Sequence, residues 1–222
     1  MSIAHQLHTV REQLPAHVTL VAVSKMHPAE AVQEAYDAGQ RIFGESRPQE
    51  LREKYDLLPK DIEWHMIGHL QTNKVKYIAP YVAMIHSVDS DRVLEAIEKE
   101  AAKCDRVIDI LFEIHVAQEE TKTGWNYTEL EHYLADNPLQ AMPHIRVRGV
   151  MGIATNTEDV AVVRGDFNRL KECYDSLRPR FGTTFNTLSM GMSGDYPLAI
   201  ECGSTMVRVG SFIFGARDYS KK

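Results

Sequence analysis

The chain has 222 residues, 44% hydrophobic and 25% charged, which suits one domain spanning 1–222 with a full apolar core. Acidic residues exceed Lys plus Arg, 31 against 25, and are scattered through helix-like segments, so the basic footprint of a nucleic-acid binder is missing. No apolar run reaches the roughly 18 residues of a membrane span, the N-terminal MSIAHQLHTVREQL lacks a signal-peptide core, and three cysteines (Cys104, Cys173, Cys202) without CxxC spacing argue for a reducing compartment, so a cytoplasmic protein is expected.

In chain order the pattern predicts an N-terminal helix over 2–14, a strand over 19–24 (TLVAVS), a helix over 28–38 and strands over 41–43, 62–67 and 82–87. A helix over 90–103, with Asp89 or Ser90 as its cap, leads to a strand over 107–116. A helix over 127–135, with Thr128 as its cap, precedes a strand over 145–151, a helix over 158–176, and strands over 184–189 and 206–209. Eight β-branched runs alternating with amphipathic stretches predict a closed (β/α)8 TIM-type barrel with an extra N-terminal helix. An open doubly wound sheet would usually carry GxGxxG after its first strand, where this chain has Ser24-Lys25-Met26-His27-Pro28.

Lys25 falls at the C-terminal end of strand one, the active face of a barrel, where a partly desolvated lysine near cationic groups is activated for Schiff-base chemistry. The same position suits an ordinary lysine in a surface turn. A second constellation is Ser189-Met190-Gly191-Met192-Ser193-Gly194-Asp195 after strand seven, with Arg208-Val209-Gly210-Ser211 at the end of strand eight. Barrels often bind phosphate on these two loops; Ser193 offers a hydroxyl, and Gly210 and Ser211 offer amides. Glycines also simply end strands, and Asp195 reads as a helix cap. Closure places strand eight beside strand one, so Lys25 becomes a neighbour of Arg208–Ser211. A ligand with an aldehyde at one end and a phosphate at the other would bridge them, and pyridoxal 5′-phosphate (PLP) is such a ligand.

Over nearly its whole length the sequence resembles the pyridoxal-phosphate homeostasis protein family (YggS/PROSC type), which is similar to the barrel domain of alanine racemase. The resemblance rests on Val21-Ala22-Val23-Ser24-Lys25, Phe43-Gly44-Glu45, Gln49-Glu50, Trp64-His65-Met66-Ile67-Gly68, Leu70-Gln71-Thr72-Asn73-Lys74, Ser189-Met190-Gly191-Met192-Ser193 and Gly203-Ser204-Thr205-Met206-Val207-Arg208-Val209-Gly210. It implies PLP fold type III, an alanine-racemase N-domain-like barrel. It further implies that Lys25 carries the PLP imine, that Ser193, Gly210 and Ser211 hold the phosphate, and that Arg208 faces the pyridine nitrogen. Two departures stand out. Ser46 replaces a common Asn after Phe43-Gly44-Glu45 and is expected to hydrogen-bond near the cofactor, and His115 replaces a common Asn after strand five. Glu119, Lys122 and Gly124 keep the family spacing, which suggests Lys122 as a second amine near the mouth or, equally, a solvated loop lysine. Met190 and Met192 read as walls of the cofactor slot. His65 and His69 straddle a strand end and lack metal-site geometry, so no metal is expected.

An arginine at the pyridine nitrogen favours the unprotonated ring and weakens the electron sink. The resemblance therefore implies a PLP carrier or regulator in vitamin B6 homeostasis without efficient catalysis. The chain stops at Lys222, without a counterpart of the racemase's second, dimerising domain, so a monomer is expected, with apo PLP-dependent enzymes as recipients. The alternatives are a small amino-acid racemase using Lys25 with Lys122 or His65 as second base, or a phosphate-binding barrel enzyme without PLP.

Overall fold

Eight parallel strands close on themselves in sequence order, with helices on the outside. The computed structural model describes residues 2–136 and 138–216. The strands are β1 (Thr19–Val23), β2 (Ile42–Glu45), β3 (Glu63–Met66), β4 (Met84–Val88), β5 (Ile108–Glu113), β6 (Ile145–Met151), β7 (Thr187–Met192) and β8 (Met206–Val209). The helices are α1 (Ile3–Gln13), α2 (Ala29–Asp37), α3 (Pro48–Leu57), α4 (Asp91–Lys103), α5 (Tyr127–Ala135), α6 (Val160–Phe181), α7 (Tyr196–Glu201) and α8 (Ser211–Phe214). β8 closes the barrel against β1 with Val21 opposite Arg208 and Ala22 opposite Val209. Among the described residues no helix is long and apolar enough to cross a membrane.

Strand alternation sorts the side chains into two cores. Outward residues such as Ala22, Phe43, Trp64, Ile85, Ile110, Leu188 and Val207 pack under the helices. Inward, Val21, Met84, Leu111, Met151 and Met206 fill the barrel axis. Two residues further along β4, β5 and β8, toward the C-terminal mouth, the inward positions change from Met84, Leu111 and Met206 to His86, Glu113 and Arg208. The axis thus passes from an apolar layer to a buried polar one, which places the candidate chemistry at the mouth.

Four expectations need correction. β7 runs to Met192 rather than ending at 189, because a shift in its pairing with β8 between Ser189 and Met192 absorbs one extra residue at Gly191, whose φ is +94°. α6 runs through Pro179 to Phe181 and stops at Gly182, where φ is +70°. Thr128 does not cap α5: Asn126 does, its side chain accepting from the Thr128 N–H. Asp195 stands at the N-cap position of α7, but its side chain makes no capping bond, since its Oδ1 accepts instead from the Met192 N–H at 2.5 Å.

Candidate functional site

Lys25 lies two residues beyond β1, half-buried in a turn rather than within the strand. β8 reaches the same level beside it. Gly210 packs so closely on β1 that a methyl group there would stand 3.0 Å from the Val23 carbonyl oxygen, and the His27 ring stacks on Phe214 of α8 with centroids 5.3 Å apart. Only glycine permits that approach without displacing backbone. The Gly210 N–H donates to Ser193 Oγ at 3.1 Å, so the bulged end of β7 and the end of β8 form one cradle. The Ser193 hydroxyl accepts in that bond, which leaves its own hydrogen for an anion.

Arg208 is buried at 4% exposure inside the barrel. Its guanidinium donates to the Ser189 carbonyl (2.9 Å), Ser189 Oγ (2.7 Å) and the Gly152 carbonyl (3.0 Å). Those bonds take three of the five N–H groups an arginine carries. Burial pulls its pKa down to about 10, opposed by Asp195 and Glu113, so the group remains a cation at neutral pH.

A polar network runs from Arg208 down the barrel axis. Ser189 Oγ accepts from Arg208 and lies 3.2 Å from His86 Nδ1. His86 Nε2 and His65 Nδ1 share a hydrogen bond at 2.9 Å. Both rings are buried, and both are held neutral: desolvation lowers the His65 pKa to about 3 and, with the neighbouring His65 and Arg208, carries that of His86 well below its usual value. His65 also lines a cavity of about 340 Å³ at the opposite, N-terminal mouth with His17, Asp109 and Arg148. It therefore belongs to the barrel axis and not to the mouth where Lys25 stands.

A second buried cluster surrounds the Lys25 turn. Ser24 Oγ donates to Glu45 Oε1 (2.6 Å), and Lys54 Nζ donates to the Ser24 carbonyl (2.7 Å), Glu45 Oε1 (2.7 Å) and Glu50 Oε1 (2.8 Å). The Met26 N–H donates to Glu50 Oε1 at 2.6 Å. Desolvation raises the Glu45 pKa to about 7 against the pull of Lys54, and its buried Oε2 has no hydrogen-bond partner among the described residues.

The sequence matches the family described as alanine racemase, N-terminal domain, over residues 1–218. The chain belongs to that family. It is 42% identical to the pyridoxal phosphate homeostasis protein of Aquifex aeolicus, over 90% of this chain and 87% of that one. To the Escherichia coli protein of the same name it is 36% identical, over 99% of each chain. PipY of Synechococcus elongatus superposes with a TM-score of 0.90 at 37% identity without PLP and of 0.87 at 36% with PLP bound, over 96% of this chain and 100% of that one. Alanine racemase from E. faecalis shares the fold with a TM-score of 0.78 at 13% identity, and the match spans 57% of its length.

In this member of the alanine racemase N-terminal domain family the other sequence candidates divide. Ser46 follows β2 and packs on Gly68, where a methyl group would lie 2.6 Å from the Ser46 carbonyl oxygen; its hydroxyl makes no hydrogen bond among the described residues. Met192 is 39% exposed at the cradle, but Met190 is fully buried in the outer core, so it is no wall of the slot. Lys122 is tied to the Ala154 carbonyl (2.7 Å) and Glu119 (3.0 Å), and His115 Nε2 lies 3.0 Å from the Glu119 carbonyl oxygen. Both line a cavity of about 180 Å³ with Glu113, whose pKa burial raises. His69 pairs with Asp89 at 3.0 Å. No local spacing points to a role for His86, Ser189, Glu45, Glu50 or Lys54, although Ser189, Glu45 and Glu50 lie in motifs that carry the family resemblance.

Proposed function

We propose that this chain binds PLP through a Schiff base on Lys25 and serves as a carrier or regulator in PLP homeostasis, without efficient catalysis. The observation that carries this reading is the placement of three kinds of group on two neighbouring strand ends. Lys25 follows β1, the buried Arg208 lies one residue before the end of β8, and Ser193, with the Gly210 amide now bonded to it, and the Ser211 amide lie one step beyond. An amine, a donor-only cation and an anion cradle match an aldehyde, a ring nitrogen and a phosphate. The names of the relatives and the PLP-bound PipY support the same ligand.

On this reading Lys25 condenses with the aldehyde, Ser193, Gly210 and Ser211 hold the phosphate, Arg208 takes the pyridine nitrogen, and Ser46 and Met192 border the slot. When bound there, the cofactor supplies a reactive aldehyde and an electron sink whose strength depends on a protonated ring nitrogen. Arg208 donates hydrogen bonds but gives up no proton at neutral pH, so it withholds that protonation. Racemisation also needs a base on each face of the substrate's α-carbon. Lys122 is committed to Ala154 and Glu119, and His65 lies in the axis and lines the opposite mouth, so neither is placed to be the second base. The carrier reading is favoured over the small racemase for this reason. We place the protein in the cytoplasm as a single-domain monomer, with apo PLP-dependent enzymes as recipients; its cysteines Cys104, Cys173 and Cys202 are all free thiols.

The test is to load the purified protein with PLP, follow its Schiff-base absorbance, and mix it with an apo-enzyme. Transfer of PLP is expected, with racemisation of alanine or serine no faster than by free PLP within small factors. A turnover above about 1 s⁻¹, in the range of real enzymes, would reverse the ranking.

A further inference from the structure

We propose that Lys54, Glu45 and Glu50 form a positioning clamp that fixes the backbone on both sides of Lys25 in the geometry its amine needs to capture an aldehyde. The inference deepens the reading above and rests on Lys25 being the reactive amine.

Each residue flanking Lys25 is held by a different carboxylate. On the N-terminal side Ser24 is held twice, its hydroxyl by Glu45 Oε1 and its carbonyl by the Lys54 ammonium. On the C-terminal side the Met26 N–H is held by Glu50 Oε1 at 2.6 Å, a charge-assisted bond. Lys54 joins the two halves, and its three donors are all used: one to Ser24, one to Glu45 and one to Glu50. The Lys54 and Glu45 side chains are 6% and 0% exposed and that of Glu50 19%, so water competes little for these bonds.

The clamp also holds a backbone that would otherwise relax. Met26 has φ of +64°, the left-handed region that a residue with an unbranched side chain seldom enters unless its surroundings enforce it. Glu50 and Lys54 stand four residues apart on α3, one turn of helix, so both face the Lys25 turn from one rigid element. Burial of two carboxylates and an ammonium is a poor way to gain stability, since an apolar trio of the same volume would serve as well or better. What apolar residues cannot supply is a directed acceptor for Met26 N–H and a directed donor for Ser24 C=O. The group touches backbone on either side of Lys25, which makes these positioning residues and not catalytic ones.

The experiment compares Glu50→Ala, Glu50→Gln and Lys54→Met with the wild type. In the apo-protein, exchange of the Met26 amide is measured by NMR. In solution with cofactor, the equilibrium constant for PLP Schiff-base formation is measured beside the affinity for pyridoxine 5′-phosphate, which has the phosphate and ring but no aldehyde. Removal of a charge-assisted acceptor in Glu50→Ala is expected to speed Met26 exchange and lower the Schiff-base constant by about tenfold each. Pyridoxine 5′-phosphate affinity should hold within about twofold because the cradle lies elsewhere, and Glu50→Gln, which keeps an oxygen acceptor, should recover most of the loss. Lys54→Met should behave as Glu50→Ala does; if it fails to fold, the Glu50 pair decides. Unchanged Met26 exchange and Schiff-base constant in Glu50→Ala would overturn the clamp, as would an equal fall for PLP and pyridoxine 5′-phosphate. If the wild type forms no adduct at Lys25 the functional reading fails instead, and Met26 exchange in the apo-protein still decides whether the clamp exists.

Discussion

Acidification from about pH 7.5 to about 5.5 sets the two axial histidines against Glu45, and the size of each contribution follows from the structure. An unfolded histidine titrates near 6.5, whereas burial holds His65 at about 3 and His86 well below its ordinary value. Across this window the unfolded chain binds protons at both sites that the folded chain refuses, so stability falls with pH by roughly 1–2 kcal/mol for each, or about 3 for the pair. Glu45 has the opposite sign. Its folded pKa of about 7 lies above the unfolded value of 4.5, so the folded chain binds the extra proton and gains about 2 kcal/mol over the same window. The remainder for these three groups is a loss of about 1 kcal/mol. Urea unfolding at both pH values measures it, with His65→Gln/His86→Gln and Glu45→Gln as variants whose amides can hydrogen-bond in place of the ring or carboxyl. Relative to wild type, the acid loss should be smaller by about 3 kcal/mol in the double histidine variant and larger by about 2 in Glu45→Gln. The same pH dependence in all three proteins would refute neutral histidines and the uptake of a proton by Glu45 across this window.

Arg208→Met should cost only about 1–3 kcal/mol in urea unfolding, because the Ser189 carbonyl keeps the Gly152 N–H (3.1 Å) and only the Gly152 carbonyl is orphaned; a loss above about 5 would contradict this. Arg208→Glu should favour a protonated pyridine and make bound PLP more reactive toward added amino acids at some loss of affinity, and reactivity equal to wild type would remove Arg208 from the ring nitrogen. Gly68→Ala would place a methyl group 2.6 Å from the Ser46 carbonyl oxygen and 2.7 Å from its Cβ, so PLP affinity should fall by about tenfold as the mouth loop shifts, while wild-type affinity would show Ser46 to be irrelevant.

The barrel was legible because short, nearly continuous apolar runs such as Leu20-Val21-Ala22-Val23 and Ile108-Asp109-Ile110-Leu111-Phe112 recur between amphipathic stretches, and closure alone then brought Lys25 beside Arg208. Other features are invisible to a one-dimensional pattern. Gly191 signals a strand end, yet pairing to β8 carries β7 past it with a bulge, and this moves Met192 and Ser193 to the cradle. Pro179 signals a helix end, yet packing of Leu170, Cys173, Tyr174 and Leu177 carries α6 to Gly182. The Ser189–His86 contact spans 103 positions and the Lys54–Ser24 contact 30, so neither polar network leaves a local spacing to find. Thr128 and Asn126 are both good caps by residue type, and only the backbone decides between them.

Borohydride reduction of the PLP-loaded protein, followed by peptide mapping of the modified lysine, addresses the assignment on which the functional reading depends. The expected result is a stoichiometric adduct on Lys25, absent from a folded Lys25→Ala chain that still binds pyridoxine 5′-phosphate through Ser193, Gly210 and Ser211. An adduct mainly on Lys122, Lys74 or Lys54, or none on a protein that has bound PLP, would contradict it.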